Sequence, residues 1–287
     1  MGNGAGNTLF FENLGSITAP AFSAAGTNPF GLINIGPNAS PTFVDLDGNG
    51  SLEGFIGNGN GNIGFFDNTN ANMAPLFIVT TNPFSTLNVG VNATPTFVDI
   101  DGDGDLDAYI GDGNGTTYFI ENIGSNSSPS FSDADSITFG VGDVDLNASP
   151  TFVDIDGDGD LDALVGDVSG DIFLFENTGS AISPAFANTS IANPFGLSNV
   201  GMNACAVFAD IDGDGDLDAF VGTADGNISF FRNALIAPPP PPPPLEPDPI
   251  PTLSEWALLI FALLMLNLGV ATLRQKELIS RQIDRKE

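Results

Sequence analysis

Four short loops concentrate the acidic side chains of this chain. Each follows the pattern D-x-D-G-[DN]-G-x-L-[DE], and together they hold 18 of the 36 acidic residues. Carboxylates packed this densely repel one another unless a cation lies among them, and Ca²⁺ takes about six to eight oxygen ligands in flexible geometry. We name these segments acidic loops 1 to 4. Their candidate ligands are Asp45, Asp47, Asn49, Ser51 and Glu53; Asp99, Asp101, Asp103, Asp105 and Asp107; Asp154, Asp156, Asp158, Asp160 and Asp162; and Asp210, Asp212, Asp214, Asp216 and Asp218.

The positions within a loop predict different roles. Side chains at positions 1, 3, 5 and 9 supply oxygens, position 6 is a glycine that permits the sharp turn, and position 7 supplies its backbone carbonyl. Acidic loop 1 is expected to bind most weakly, because Asn49 removes a charge and Glu53 is longer than aspartate. The chain has no histidine and only one cysteine, which excludes sites of the zinc type. A metal-free Asp/Gly turn is the alternative, and four copies in register argue against it.

The loops belong to a repeat. Similar segments occupy 41–57, 95–111, 150–166 and 206–222, at spacings of 54, 55 and 56 residues. Each unit shows four short strand signals, which in the second unit are 95–100, 106–111, 116–122 and a strand near Phe131. Units of this length and strand number are typical of a β-propeller with four-stranded blades. One phenylalanine opens each unit and is expected in the inter-blade core, namely Phe43, Phe97, Phe152 and Phe208.

The loop, its phenylalanine-bearing first strand and the glycine that ends the second strand resemble the FG-GAP, or integrin-α-type, repeat. The resemblance covers residues 1–233 and implies a propeller with calcium in the hairpin between the first two strands of a blade. Propellers of that family often have seven blades, whereas this chain shows four loops, so the resemblance leaves open whether the ring closes. Residues 2–13 align with the turn and third strand of a blade, and no signal peptide precedes them, which suggests a truncated start.

The predicted organisation therefore has four parts. Residues 1–38 form a partial N-terminal blade and an inter-repeat loop, and 39–233 form four repeats with calcium loops, in an all-β fold. Residues 234–249 are a proline-rich linker of extended polyproline type. Residues 250–287 are a sorting region with an apolar helix at 256–273, long enough to span a membrane, and a basic tail at 274–287 that favours a cytoplasmic end.

The start of that sorting region resembles the bacterial IPTL-type sorting signal. The resemblance rests on the sequence IPTLSEW followed by the apolar segment and the basic tail. It implies export, transient membrane anchoring and processing by an exosortase-like enzyme before surface display. A plain single-span anchor is the alternative. The motif residues are Ile250, Pro251, Thr252, Leu253 and Trp256.

Composition restricts the partners. The net charge of −30 argues against nucleic acid and favours cations. Cys205 occupies the place of a serine or threonine in the other units and is predicted to be a small buried side chain. Asp112, Asp167 and Asp171 lie beside turns and are expected to be solvated.

Three functions remain open from the sequence. The first is a non-catalytic surface module that binds a glycan or protein ligand or mediates adhesion. The alternatives are a propeller-fold enzyme acting on polysaccharides and a purely structural surface or matrix protein. An enzyme is disfavoured because histidine is absent and no serine or cysteine has a visible base partner.

Overall fold

The regular secondary structure of the described residues consists almost entirely of short antiparallel strands. A computed structural model describes residues 1–16, 21–68, 75–132, 140–187, 189–211 and 214–233. Within these residues, two short 3₁₀ helices, Pro29–Gly31 and Pro194–Gly196, follow Asn28 and Asn193. The sixteen strands are β1 (Leu9–Phe10), β2 (Gly26–Thr27), β3 (Ser40–Val44), β4 (Glu53–Gly57), β5 (Ile63–Asn68), β6 (Phe77–Val79), β7 (Thr94–Val98), β8 (Asp107–Gly111), β9 (Thr117–Ile120), β10 (Ser149–Val153), β11 (Asp162–Gly166), β12 (Ile172–Phe175), β13 (Ile191–Ala192), β14 (Cys205–Ala209), β15 (Asp218–Gly222) and β16 (Ile228–Phe231).

These strands form one sheet for each repeat. The orders are β3-β4-β5-β6, β7-β8-β9, β10-β11-β12-β13 and β14-β15-β16, and β1-β2 is a separate pair. The all-β class and the four-stranded sheets of the first and third repeats are as predicted. In the second repeat the fourth strand is only an isolated bridge between Asn122 and Phe131. The described residues do not close into a ring.

Glycines at the end of each second strand allow neighbouring repeats to approach closely. A Cβ built on Gly57 would lie 2.0 Å from the carbonyl oxygen of Ala93 in the next repeat, and Gly111 and Gly166 have matching contacts at 2.2 and 2.1 Å. Any side chain here would push the sheets apart. The glycine seen at this place in the sequence repeat is therefore a packing requirement rather than a turn residue.

Aromatic side chains fill the space between consecutive sheets. Phe97 lies with its ring centroid 4.4 Å from that of Phe55 in the preceding repeat, and Phe152 lies 4.3 Å from Tyr109 in the same way. Phe55 and Tyr109 are fully buried. The phenylalanines that open the repeats pack against these inter-repeat cores, which confirms the prediction made for them. Fully burying a phenylalanine side chain contributes about 1.5–3 kcal/mol, and these half-buried rings contribute less.

A ladder of asparagine amides connects the repeats as well. Asn38 donates from Nδ2 to Oδ1 of Asn92 at 3.1 Å, Asn92 donates to Asn147 at 2.9 Å, and Asn147 donates to Asn203 at 2.9 Å. All four have positive φ, between 49° and 58°, a conformation that asparagine tolerates better than most residues. We call these four residues the asparagine ladder.

Cys205 is exposed, so its predicted burial is wrong. Burial at this end of a sheet depends on the following repeat. Whereas Gly57 meets the next repeat at 2.0 Å, a Cβ on Gly222, the register partner of Cys205, would meet only the Cys205 carbonyl at 3.8 Å.

In the described part of the chain, no helix has the length and apolar character to cross a membrane. The linker, the sorting motif, the predicted helix at 256–273 and the basic tail lie outside the described residues.

Candidate metal centre

Each acidic loop connects the first two strands of its repeat. Acidic loop 1 joins β3 to β4, and loops 2, 3 and 4 occupy the same place before β8, β11 and β15. Glycines at positions 4 and 6 have positive φ, for example Gly102 at 71° and Gly104 at 96°. This backbone turns the N–H of Gly104 toward the position 1 carboxylate, Oδ2 of Asp99, at 3.1 Å. The same bond closes the other three loops, from Gly50, Gly159 and Gly215.

Three loops bring carboxylates together. In each group one oxygen from every member lies within 4.8 Å of the others. The groups are Asp45, Asp47 and Glu53; Asp99, Asp101 and Asp103; and Asp154, Asp156 and Asp158. In loop 4, Asp212 lies outside the described residues, so no grouping is stated for that loop.

Buried oxygens in the loops lack hydrogen-bond partners. Oδ1 of Asp45, Oε1 of Glu53 and Oδ1 of Asp99 are buried and unpaired. The side-chain oxygens at position 7 behave alike: Oγ of Ser51, Oδ1 of Asp105 and Oδ1 of Asp160. Buried polar atoms are normally satisfied. Anionic acceptors that face no N–H group within the protein have the donor chemistry of a calcium site.

Position 7 was expected to offer only its backbone carbonyl. Its side chain is nevertheless buried, with exposed fractions of 3% for Ser51, 6% for Asp105 and 8% for Asp160. In loops 2 and 3 a fourth carboxylate is therefore held against the loop. In loop 1 a neutral hydroxyl takes that place, which agrees with the expectation that loop 1 binds most weakly.

Position 9 anchors the loop to the rest of its repeat. Oδ1 of Asp107 accepts the N–H of Asn122 at 2.8 Å, and Oδ1 of Asp162 accepts the N–H of Asn177 at 2.8 Å. Asp107 and Asp162 are not among the grouped carboxylates, whereas Glu53 at the same position is. The longer glutamate accepts the N–H of Leu46 through Oε2 at 3.0 Å and keeps Oε1 free for the group.

Burial perturbs the acidity of the loops. Desolvation, strengthened by neighbouring aspartates, raises the pKa of Glu53 to about 8, that of Asp107 to about 7 and that of Asp162 to about 6. The backbone N–H groups that these carboxylates accept act in the opposite direction and are outweighed. The pKa values of Asp105 and Asp160 are raised for the same reasons. A bound cation would oppose all of these shifts.

Two turn carboxylates predicted to be solvated are buried. Asp112 is fully buried and Asp167 is 2% exposed, and the prediction for them is wrong. Oδ1 of Asp112 accepts the N–H groups of Asn114 and Thr116, both at 2.9 Å, and the Asp112 carbonyl accepts the N–H of Ala148 in the next repeat. The turn is thus covered by the following repeat. Asp171 is half-buried.

The asparagine after the third strand of the second and third repeats was not predicted from the sequence. Asn122 is 2% exposed and Asn177 is 3% exposed, and each holds the base of the loop that follows it. Their recurrence in the segment E-N-x-G was a visible signal, but the function of that segment depends on contacts between repeats.

The comparisons with protein families agree with these features. The FG-GAP-like repeat model matches residues 99–165 and 154–221, and the IPTL-CTERM motif matches residues 248–275. The chain therefore carries FG-GAP-like repeats and an IPTL-CTERM motif, as the sequence resemblance indicated. No curated protein matches the chain.

Two solved structures show distant similarity. The Tc holotoxin pore of Photorhabdus luminescens is 17% identical over 80% of this chain and 11% of its own, with a TM-score of 0.40. A lectin from Agrocybe aegerita, described as recognising non-reducing terminal N-acetylglucosamine, is 16% identical over 78% of this chain and 60% of its own, also with a TM-score of 0.40. This chain thus spans only part of either protein, and similarity at this level does not extend to function.

Proposed function

We propose that this chain is an exported, non-catalytic module of calcium-binding propeller blades that presents a ligand-binding or adhesive surface at the bacterial cell surface. The main support for this proposal is the set of buried, unpaired oxygens in the acidic loops. In each of loops 1 to 3, three carboxylates also bring one oxygen each within 4.8 Å of one another. FG-GAP-like repeats over 99–221 support the same assignment.

Calcium is the cation that the donor set favours. The loops offer only oxygen ligands, and the alternating aspartates with two positive-φ glycines provide the flexible, many-ligand geometry that calcium accepts. Magnesium demands a smaller, near-octahedral site. We expect dissociation constants on the order of 0.1–1 mM, as in extracellular modules, with loop 1 the weakest.

Export and display follow from the C-terminal motif. The IPTL-CTERM match at 248–275 supports membrane anchoring, processing by an exosortase-like enzyme and release to the surface. The apolar segment 256–273 is the proposed membrane helix, and the basic tail places its end in the cytoplasm. The proline-rich linker would then act as a stiff spacer between membrane and repeats.

Ligand binding at the repeats is the function that we assign to the displayed module. Calcium would rigidify the hairpins at one end of the sheets, and loops held this firmly can present side chains to a glycan or a surface protein at low entropic cost. The acidic surface makes nucleic acid and anionic lipid poor ligands.

Calorimetric titration of the purified chain with calcium and with magnesium tests the metal assignment. Binding of calcium with millimolar or better affinity, and markedly weaker binding of magnesium, is expected. Equal affinity for the two ions, or no heat with calcium, would refute it. A glycan array probed with and without chelator tests the ligand class, and calcium-dependent retention of particular glycans is the supporting outcome.

A further inference from the structure

The loop after the third strand of a repeat reaches the acidic loop of the preceding repeat. In the second repeat a Cβ built on Gly48 of acidic loop 1 would lie 2.8 Å from Nδ2 of Asn126. In the third repeat a Cβ on Gly102 of acidic loop 2 would lie 3.0 Å from Cγ2 of Ile182 and 3.2 Å from the carbonyl oxygen of Ala181. We name residues 123–130 and 178–185 the bracket loops.

Hydrogen bonds to a single asparagine side chain hold the two ends of each bracket loop together. The Oδ1 atom of Asn122 accepts the N–H groups of Gly124 at 3.2 Å and Ser130 at 2.9 Å, which closes the base of the first bracket loop. Asn177 closes the second in the same way, through Gly179 at 3.0 Å and Ala185 at 2.8 Å.

Each of these two asparagines has a buried side-chain donor that is unfavourable for stability, which indicates that the side chain serves a specific role. The Nδ2 atoms of Asn122 and Asn177 are buried and have no hydrogen-bond partner. An unsatisfied buried donor is unfavourable. A polar side chain kept in such a place serves through its other end, here Oδ1, which holds the bracket loop.

The same asparagines are bonded to the acidic loop of their own repeat. The backbone N–H of Asn177 donates to Oδ1 of Asp162, at position 9 of acidic loop 3, and Asn122 donates to Asp107 in acidic loop 2. A continuous path therefore runs from acidic loop 3 through Asp162, Asn177 and the second bracket loop to Gly102 of acidic loop 2. The first bracket loop connects acidic loop 2 to acidic loop 1 by the corresponding contacts.

We propose that the bracket loops couple calcium binding between neighbouring repeats, with Asn122 and Asn177 as positioning residues, so that acidic loops 1, 2 and 3 bind calcium cooperatively. The proposal rests on the calcium function proposed above. Calcium bound by Asp154, Asp156 and Asp158 orders acidic loop 3, whose last residue, Asp162, accepts the N–H of Asn177 at the base of the bracket loop. The bracket loop then holds the turn of acidic loop 2 in its binding conformation. Part of the ordering cost of the second site is thus met by the first, and thermodynamic linkage makes the effect reciprocal.

The position 6 glycines allow each loop to be followed separately. The N–H groups of Gly50, Gly104 and Gly159 donate to the position 1 carboxylates of acidic loops 1, 2 and 3, so their amide signals should move when those carboxylates bind a metal. The experiment titrates the full chain, labelled with ¹⁵N-glycine, with calcium. Acidic loop 3 is then disabled by Asp156→Asn with Asp158→Asn, which leaves position 9 intact.

The expected result is a weaker acidic loop 2. Networks of this kind transmit about two- to thirtyfold in affinity, so the calcium Kd reported by Gly104 should rise within that range when acidic loop 3 is disabled. A Gly104 Kd that stays within about twofold of its original value would overturn the proposal. Absence of any calcium-dependent shift at all three glycines in the unmodified chain would instead refute calcium binding itself.

A matched pair of isoleucine variants outside the acidic loops tests the path. Ile182 lies in the second bracket loop, where a Cβ built on Gly102 would be 3.0 Å from its Cγ2 atom, and Ile123 lies in the first bracket loop. Both side chains are exposed, at 75% and 62%, so replacing either by alanine should leave the folds of the acidic loops intact. Disabling acidic loop 3 should raise the Gly104 Kd less in the Ile182→Ala background than in the Ile123→Ala background. Equal coupling in both backgrounds would refute the bracket-loop path.

Discussion

Calcium binding should release protons, and the number released should depend on pH in a defined way. With pKa values of about 8, 7 and 6, Glu53 is mostly protonated at pH 7 in the calcium-free protein, Asp107 is partly protonated and Asp162 is mostly ionised. A calcium ion in the loop favours the ionised form of each carboxylate. Saturation should therefore release roughly one to two protons per chain at pH 7 from these three groups, more at pH 6 and fewer at pH 8.

Calorimetry in buffers of different ionisation enthalpy measures this release. The observed heat of calcium binding, plotted against the ionisation enthalpy of the buffer, has a slope equal to the number of protons exchanged. Glu53→Gln should reduce the release at pH 7 by roughly one proton, and Asp107→Asn should reduce it by less. A slope near zero at pH 7, or a release that grows from pH 6 to pH 8, would show that these carboxylates are already ionised in the calcium-free protein.

Four further outcomes are expected. Without calcium, Glu53 keeps its proton up to about pH 8 when folded but loses it near pH 4.5 when unfolded, so thermal denaturation in chelator should show stability falling as pH rises through that window; a rise in stability would contradict the assignment. Asp156→Ala should reduce stability by about 1.4–2.7 kcal/mol at 10 mM calcium if the site Kd is about 0.1–1 mM, and much less in chelator; equal losses would mean that the loop is only a turn. Thr94→Val removes a hydrogen bond of 2.6 Å to the Ala148 carbonyl of the next repeat and should cost about 1 kcal/mol by chemical denaturation in both calcium and chelator. Intact mass of the displayed protein from its native host should lack residues 274–287, and a mass that includes them would leave a simple membrane anchor.

Local patterns predicted local structure well. The acidic loops follow from a repeated run of aspartate and glycine whose turn chemistry acts within nine residues, and the hairpins appear where the pattern placed them. The strand ends differ by one or two residues, as for the predicted strand 95–100, which is Thr94–Val98. The reason is that strand ends are fixed by pairing with β8 and not by composition.

The contacts between repeats could not be predicted from the sequence pattern of one repeat. Asp112 lies in a turn that looks solvated in isolation, and it is buried because the following repeat donates Ala148 N–H to it. Cys205 was predicted to be buried but is exposed, because the described residues include no following repeat that covers it. The approach of Asn126 to Gly48 joins residues that are far apart in sequence and have no shared motif. Each depends on how the sheets are stacked, which the period alone does not specify.

The hydrogen bonds of the asparagine ladder all run in the same direction along the repeats, and this has a consequence for how repeats can be added. Asn92 and Asn147 each donate through Nδ2 to the following repeat and accept through Oδ1 from the preceding one. A duplicated segment that spans one whole period would bring its own donor and acceptor, so both new junctions would be satisfied without any compensating substitution. An insertion of half a period would instead place an asparagine beside an unrelated residue and leave exposed or half-buried ladder amides without their partners. The ladder therefore favours duplication in whole periods over insertion of part of one, and its members lie 54, 55 and 56 residues apart.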